Sequence, residues 1–130
     1  MLQDIKKLLE HNAVLLAIIA TIIIAFLSLS VVPSINLGLK VKNSDKILHT
    51  LAYFALSTVW LFTLKDKLKR PYFKVAIGLI LTFYGIILEA LQGELTNYRT
   101  ADLYDIIANT LGILLAFTLF DRLIKWYDRV

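Results

Sequence analysis

Apolar residues gather in four long runs separated by short polar segments, and that spacing predicts four helices. The first run, Ala13–Val32, holds about 20 residues without a charge, the length that crosses a hydrocarbon core. The second, Ile47–Leu64, is uncharged apart from any proton on His49. The third, Val75–Gln92, is interrupted only by Glu89 near its end. The fourth, Ile106–Phe120, is short, and it reaches spanning length if its helix begins near Asp102. All four are rich in Leu and Ile, and none alternates strictly as a barrel strand does. The expectation is an all-α integral membrane protein with four transmembrane helices in a compact bundle, over about 13–32, 47–64, 75–92 and 102–120. No repeat or linker divides the chain, so it reads as one domain, 1–130.

Composition supports this picture and narrows the chemistry. At 58% hydrophobic residues the chain exceeds the roughly 45–50% of ordinary soluble domains. It has no cysteine, which excludes disulfides, thiolate nucleophiles and Cys-ligated metal sites. Lys6 and Lys7 precede the first run, but that run is too long for the 7–15-residue core of a signal peptide, so it reads as a retained helix. The net charge of +4 arises from basic residues between apolar runs, which suits a membrane surface better than nucleic acid.

With four crossings, Lys and Arg divide unequally between the two sides. Ten fall in the tails and in residues 65–74, against four (Lys40, Lys42, Lys46 and Arg99) in the other two loops. The positive-inside rule then expects both termini and residues 65–74 in the cytoplasm, with 33–46 and 93–101 external.

That topology brings polar residues from three segments to one end. Asp45, Lys46 and His49 open the second helix, Glu89 and Gln92 close the third, and Asp102, Asp105 and Asn109 open the fourth, after Arg99 in the preceding loop. At 100° per residue, Asp45, His49, Ala52 and Leu56 share one stripe of their helix, with Tyr53 beside it. Gly78, Thr82, Gly85 and Glu89 form a second stripe, and Asp105, Asn109, Gly112 and Ala116 a third. Polar groups facing lipid are costly and small residues let helices approach, so all three stripes are expected to turn inward around a polar pocket. Thr100 or Asp102 is placed to cap the fourth helix.

The pattern Asp45-Lys46-x-x-His49-x-x-x-Tyr53, then Glu89-x-x-Gln92, then Arg99-x-x-Asp102-x-x-Asp105-x-x-x-Asn109-x-x-Gly112, resembles the VanZ-like family of small bacterial membrane proteins. The similarity runs from about Val32 to Ala116. One departure is Asn97-Tyr98, where many members carry a proline just before the loop arginine. The resemblance implies a multi-pass protein of the bacterial cell (cytoplasmic) membrane, linked to glycopeptide (teicoplanin) resistance. It fixes no reaction.

From the residues themselves, an acid-oriented His49, with Asp45 one turn before it, reads as a general base, and Glu89 as a second acid/base group. Lys46, Arg99, Gln92, Asp102, Asp105 and Asn109 then read as ligand-binding groups for an anionic envelope lipid or cell-wall precursor. Mixed carboxylate and imidazole donors also suit a divalent cation, although no cofactor is established and the metal stays unknown. Blander roles stand beside these: Lys46 as an interfacial anchor, Gln92 and Asn109 as interhelical hydrogen bonds, Gly112 as packing. No H-E-x-x-H, P-loop or G-x-S-x-G occurs, so an enzyme (a head-group hydrolase or transferase) is an open reading. Its alternatives are a non-enzymatic lipid-binding or resistance protein and a small ion- or proton-coupled transporter. Membrane lipids are the expected partners and nucleic acid is not; the oligomeric state is open.

Overall fold

A computed structural model describes residues 1–30, 44–95 and 101–130, with the side chain of Ser44 excepted. Five α-helices account for almost all of them: α1 (Leu2–His11), α2 (Ala13–Leu29), α3 (Ser44–Thr63), α4 (Pro71–Leu95) and α5 (Leu103–Arg129). A single 3-10 turn, Lys65–Lys67, joins α3 to α4. No strand occurs among the described residues, as the absence of alternation predicts.

Three of the four expected helices are longer than their apolar runs. Helix α3 starts at Ser44, with Asp45 in its first turn where it complements the positive end of the helix dipole. Pro71 opens α4, a position that needs no backbone N–H. Helix α5 continues past Phe120 through the charged segment to Arg129. Hydropathy marks where lipid-compatible side chains end, whereas a helix continues as long as its backbone bonds and packing do. Phe62 meets Tyr127 edge-on at 5.1 Å, which holds this extension against α3.

Helix α1 is an element the apolar runs did not predict. Leu2, Ile5, Leu8 and Leu9 recur at helical spacing while Gln3, Asp4, Lys6, Lys7 and Glu10 fill the rest. Asn12 ends it: its backbone N–H and its Nδ2 both donate to the Leu8 carbonyl, the latter at 2.8 Å. The chain then turns through 65° into α2.

The expectation of four spanning helices is corrected in part. Among the described residues α4 and α5 are long and apolar enough to cross a membrane, and α1 with α2 adds a third if the bent pair is one span. Helix α3 is 20 residues long but falls short in hydropathy, because Asp45, Lys46 and His49 occupy its first turns. Its buried face (Tyr53, Leu56, Ser57 and Leu61) lies against α2, α4 and α5, while Asp45 at its start is exposed.

The core runs along α3, α4 and α5 through Tyr53, Leu56, Leu61, Leu81, Ile113 and Phe120. Around it lies a belt of exposed apolar side chains, including Ile22, Phe26, Ile80, Phe83, Leu111 and Leu114. Buried polar groups inside an apolar outer surface are the arrangement that hydrocarbon solvent favours.

Gly112 sets the α3–α5 contact. A Cβ there would stand 2.9 Å from the Phe54 nitrogen and closer still to the Thr50 carbonyl oxygen, both backbone atoms. The two backbones approach too closely for any side chain, as small residues at membrane helix crossings allow.

Candidate functional site

The stripes of α4 and α5 turn inward at their polar ends, whereas that of α3 does so only in its deeper part: Leu56 is buried, His49 and Ala52 are partly buried, and Asp45 is exposed. Glu89, Gln92, Asp105 and Asn109 are all buried, as are Gly85, Gly112 and Ala116 deeper on the same faces. Close approach at Gly112 and the space left at Gly85 draw the helices together; a Cβ on Gly85 would lie 3.2 Å from both Tyr53 Cε1 and Asn109 Nδ2.

Lys46 is the hub. Its Nζ donates to Asp102 Oδ2 at 2.6 Å and to Asp105 Oδ1, and lies 3.2 Å from Asp45 Oδ2. One ammonium thus serves three carboxylates from two helices. The Asp105 side chain is 8% exposed, against 51% for Asp45 and 37% for Asp102, so the strongest desolvation falls on the pair that needs its partner most. Asp102 also caps α5, accepting from the Tyr104 N–H at 2.9 Å. The Lys46 ammonium, followed by the Tyr104 N–H, holds the Asp102 carboxyl below its ordinary value.

His49 has different neighbours from those the sequence suggests. Asp45, one turn before it, turns to Lys46. The imidazole instead reaches across to α5, with Nδ1 at 2.9 Å from Asn109 Oδ1 and Nε2 at 3.7 Å from Asp105 Oδ2. Asn109 Oδ1 accepts from Nδ1, which leaves Nε2 facing the Asp105 carboxylate. The orienting groups come from 56 or more residues away because the α3–α5 crossing, rather than the helical turn, decides who meets whom.

Helix α4 closes the third side. Glu89 Oε1 accepts from the Asp102 N–H at 2.7 Å, placing a carboxylate at the positive end of α5. Gln92 Nε2 donates to the Ser28 carbonyl and so ties α4 to α2. Asp45, Lys46, His49, Glu89, Asp102, Asp105 and Asn109 therefore converge, Gln92 lies at the α2 side, and Arg99 lies outside the described residues. The expected external segments 33–46 and 93–101 fall partly there too; of their described residues, Ser44–Lys46 and Gly93–Leu95 are helical. Tyr104, missed by sequence reasoning, joins through its backbone N–H to Asp102 and borders the α3–α5 groove from the first turn of α5.

A groove of about 720 Å³ opens between α3 and α5. Asp45, Lys46 and Asp102 form its polar mouth, and Ile47, Leu51, Ile107 and Leu111 line the apolar length below. His49 is not among the lining residues. Among the described residues no group of three or more His, Cys, Asp or Glu side chains is arranged to hold a metal ion. The Lys46 ammonium occupies the centre that its carboxylates share.

No family model matches the chain, and no solved structure does. Over 84 residues it is 39% identical to the uncharacterized protein C11E3.10 of the fission yeast Schizosaccharomyces pombe, an alignment covering 63% of this chain and 49% of that one. The chain spans about half the length of this curated relative. A relative in a eukaryote overturns the expected bacterial membrane location, and the expected sidedness loses the four established crossings on which its charge count rested.

Proposed function

We propose that this chain is a multi-pass membrane protein, with α3 as a fourth, inward-facing crossing segment, and that the α3–α5 groove holds a membrane lipid by its head group. The carrying observation is the groove itself, whose charged mouth continues into an apolar slot of lipid-like polarity. Small-molecule sites have this form, largely apolar with a few placed polar groups. The VanZ-like motif residues Asp45, Lys46 and Asp102 supply the mouth. An anionic head group engages Lys46 by displacing the half-exposed carboxylates of Asp45 or Asp102, while Asp105 keeps its buried place. A divalent cation at the same carboxylates would have to displace the ammonium.

The test is lipid retention by purified protein in nanodiscs, read by native mass spectrometry with anionic and with amine-bearing zwitterionic lipids, each with and without magnesium. Leu51→Trp and Ile107→Trp fill the slot without touching the cluster. Each is expected to weaken retention about tenfold, the equivalent of about 1.4 kcal/mol. Retention unchanged in both variants would sink the groove reading. Selective retention of amine-bearing lipids would instead make the carboxylates the recognition element and leave Lys46 structural.

A second reading, head-group processing, is favoured by one observation: His49 is held between Asn109 and Asp105, the carboxylate it shares with Lys46. In it Asn109, accepting from Nδ1–H, orients the ring, and Nε2 moves the proton as general acid/base. His49→Gln should then abolish turnover of a lipid-linked phosphate and leave lipid retention intact. Absence of any product from the unaltered protein removes this reading and leaves binding.

A further inference from the structure

The end of the bundle opposite the groove carries a second membrane-facing feature. On α1, Leu2, Ile5, Leu8 and Leu9 are 39–63% exposed, so the described residues leave much of the apolar side uncovered; Leu9, the least exposed, borders a hollow lined by Phe62, Phe120 and Tyr127. Its other side is fastened. Glu10 Oε1 accepts from Lys65 Nζ at 2.8 Å, and the Lys6 ammonium stands 4.7 Å from the centre of the Tyr127 ring. These contacts, with the 65° turn at Asn12, fix α1 across the direction of α2. The exposed apolar side of α1 runs into the exposed face of α2 through Val14, Leu15 and Ile18. The same end gathers basic residues: Lys6 and Lys7 on α1, five between Lys65 and Lys74, and Arg122, Lys125 and Arg129 on α5. Trp126, 66% exposed, sits among them.

We propose that α1 lies in the plane of the membrane surface, its apolar side in the acyl boundary and Lys7, with the other basic residues of this end, against anionic phospholipid head groups. A helix with one apolar side, lysines on the other and little net hydrophobicity binds in this way, entering about 5–10 Å into the head-group boundary. Continuity with the α2 belt sets the depth, and the basic end supplies the charge complementarity. The lock through Glu10, Lys65 and Tyr127 holds the helix flat and spares part of the ordering cost on contact.

The inference shares with the proposed function only the membrane embedding. Because the chain has no cysteine, single labels can be placed cleanly. The full chain carrying Ile5→Cys, Leu8→Cys, Gln3→Cys or Lys7→Cys would be labelled with an environment-sensitive fluorophore and reconstituted into vesicles containing brominated lipid. Ile22→Cys on the exposed belt of α2 serves as the embedding control. The expected result is quenching at positions 5 and 8 several-fold stronger than at 3 and 7, and greater in anionic than in neutral vesicles. Equal quenching at all four α1 positions, with strong quenching at position 22, overturns the in-plane helix and leaves the embedding standing. Loss of quenching at position 22 as well overturns both. Identical results in neutral and anionic vesicles overturn the anionic-lipid part.

Discussion

Lys46 on α3 donates to Asp102 Oδ2, just before α5, across 2.6 Å, and the same ammonium reaches the buried Asp105. This charge-assisted link clamps the polar ends of the two helices together, directly above their tight crossing at Gly112. Removing the cation leaves Asp105 buried without it. Lys46→Met is expected to cost about 3–5 kcal/mol, the usual penalty for breaking a buried pair on one side. Lys46→Met with Asp105→Leu should recover much of that loss, and unfolding in mixed micelles measures the cycle. A double variant no more stable than Lys46→Met alone would refute the clamp.

Acid should loosen the same end. The Asp102 carboxyl is held below its unfolded value by Lys46 and by the Tyr104 N–H. Its contribution is therefore fully present above the unfolded value, near pH 3.9, and is lost as pH falls through the lower folded value. Melting temperature should drop on acidification through that window, and Asp102→Asn should flatten the drop. A profile unchanged by Asp102→Asn would assign the acid sensitivity to other carboxylates.

Gly112 allows a sharp steric test, because the atoms facing it belong to the α3 backbone and cannot swing aside. Gly112→Ala should destabilise by about 1–3 kcal/mol and Gly112→Leu by more, as overpacking of a tight contact does. Gly78 is a useful comparison: a Cβ there would meet only the Phe117 ring, at 3.1 Å, which can shift. Equal tolerance of alanine at both positions would contradict the close α3–α5 approach.

Glu89 supplies an acceptor to the start of α5. Glu89→Gln keeps an oxygen for the Asp102 N–H and should cost little, whereas Glu89→Ala leaves that donor unpaired, at about 1–3 kcal/mol. Amide hydrogen exchange at Asp102 reads the difference directly: faster exchange in Glu89→Ala, near-normal exchange in Glu89→Gln.

The sequence by itself determined the helical class, the inward stripes of α4 and α5 and the end of the bundle where polar groups meet. All three follow from the 3.6-residue period and from the cost of polar groups in hydrocarbon, which are properties of single segments. Gly85, Gly112 and Ala116 were legible for that reason; the cap of α5 was narrowed to Thr100 or Asp102, and the structure gives Asp102. Only the tertiary structure decided the pairings. Lys46 finds Asp102 and Asp105, and His49 finds Asn109 and Asp105, because partners 56 to 60 positions apart are chosen by how α3 crosses α5. It also decided the fate of α1, whose charges break any apolar run and whose place depends on Lys65 in the turn after α3 and on Tyr127 near the end of α5. Helix limits went the same way: α4 and α5 outlast their apolar runs, since backbone bonding and packing continue where hydropathy stops.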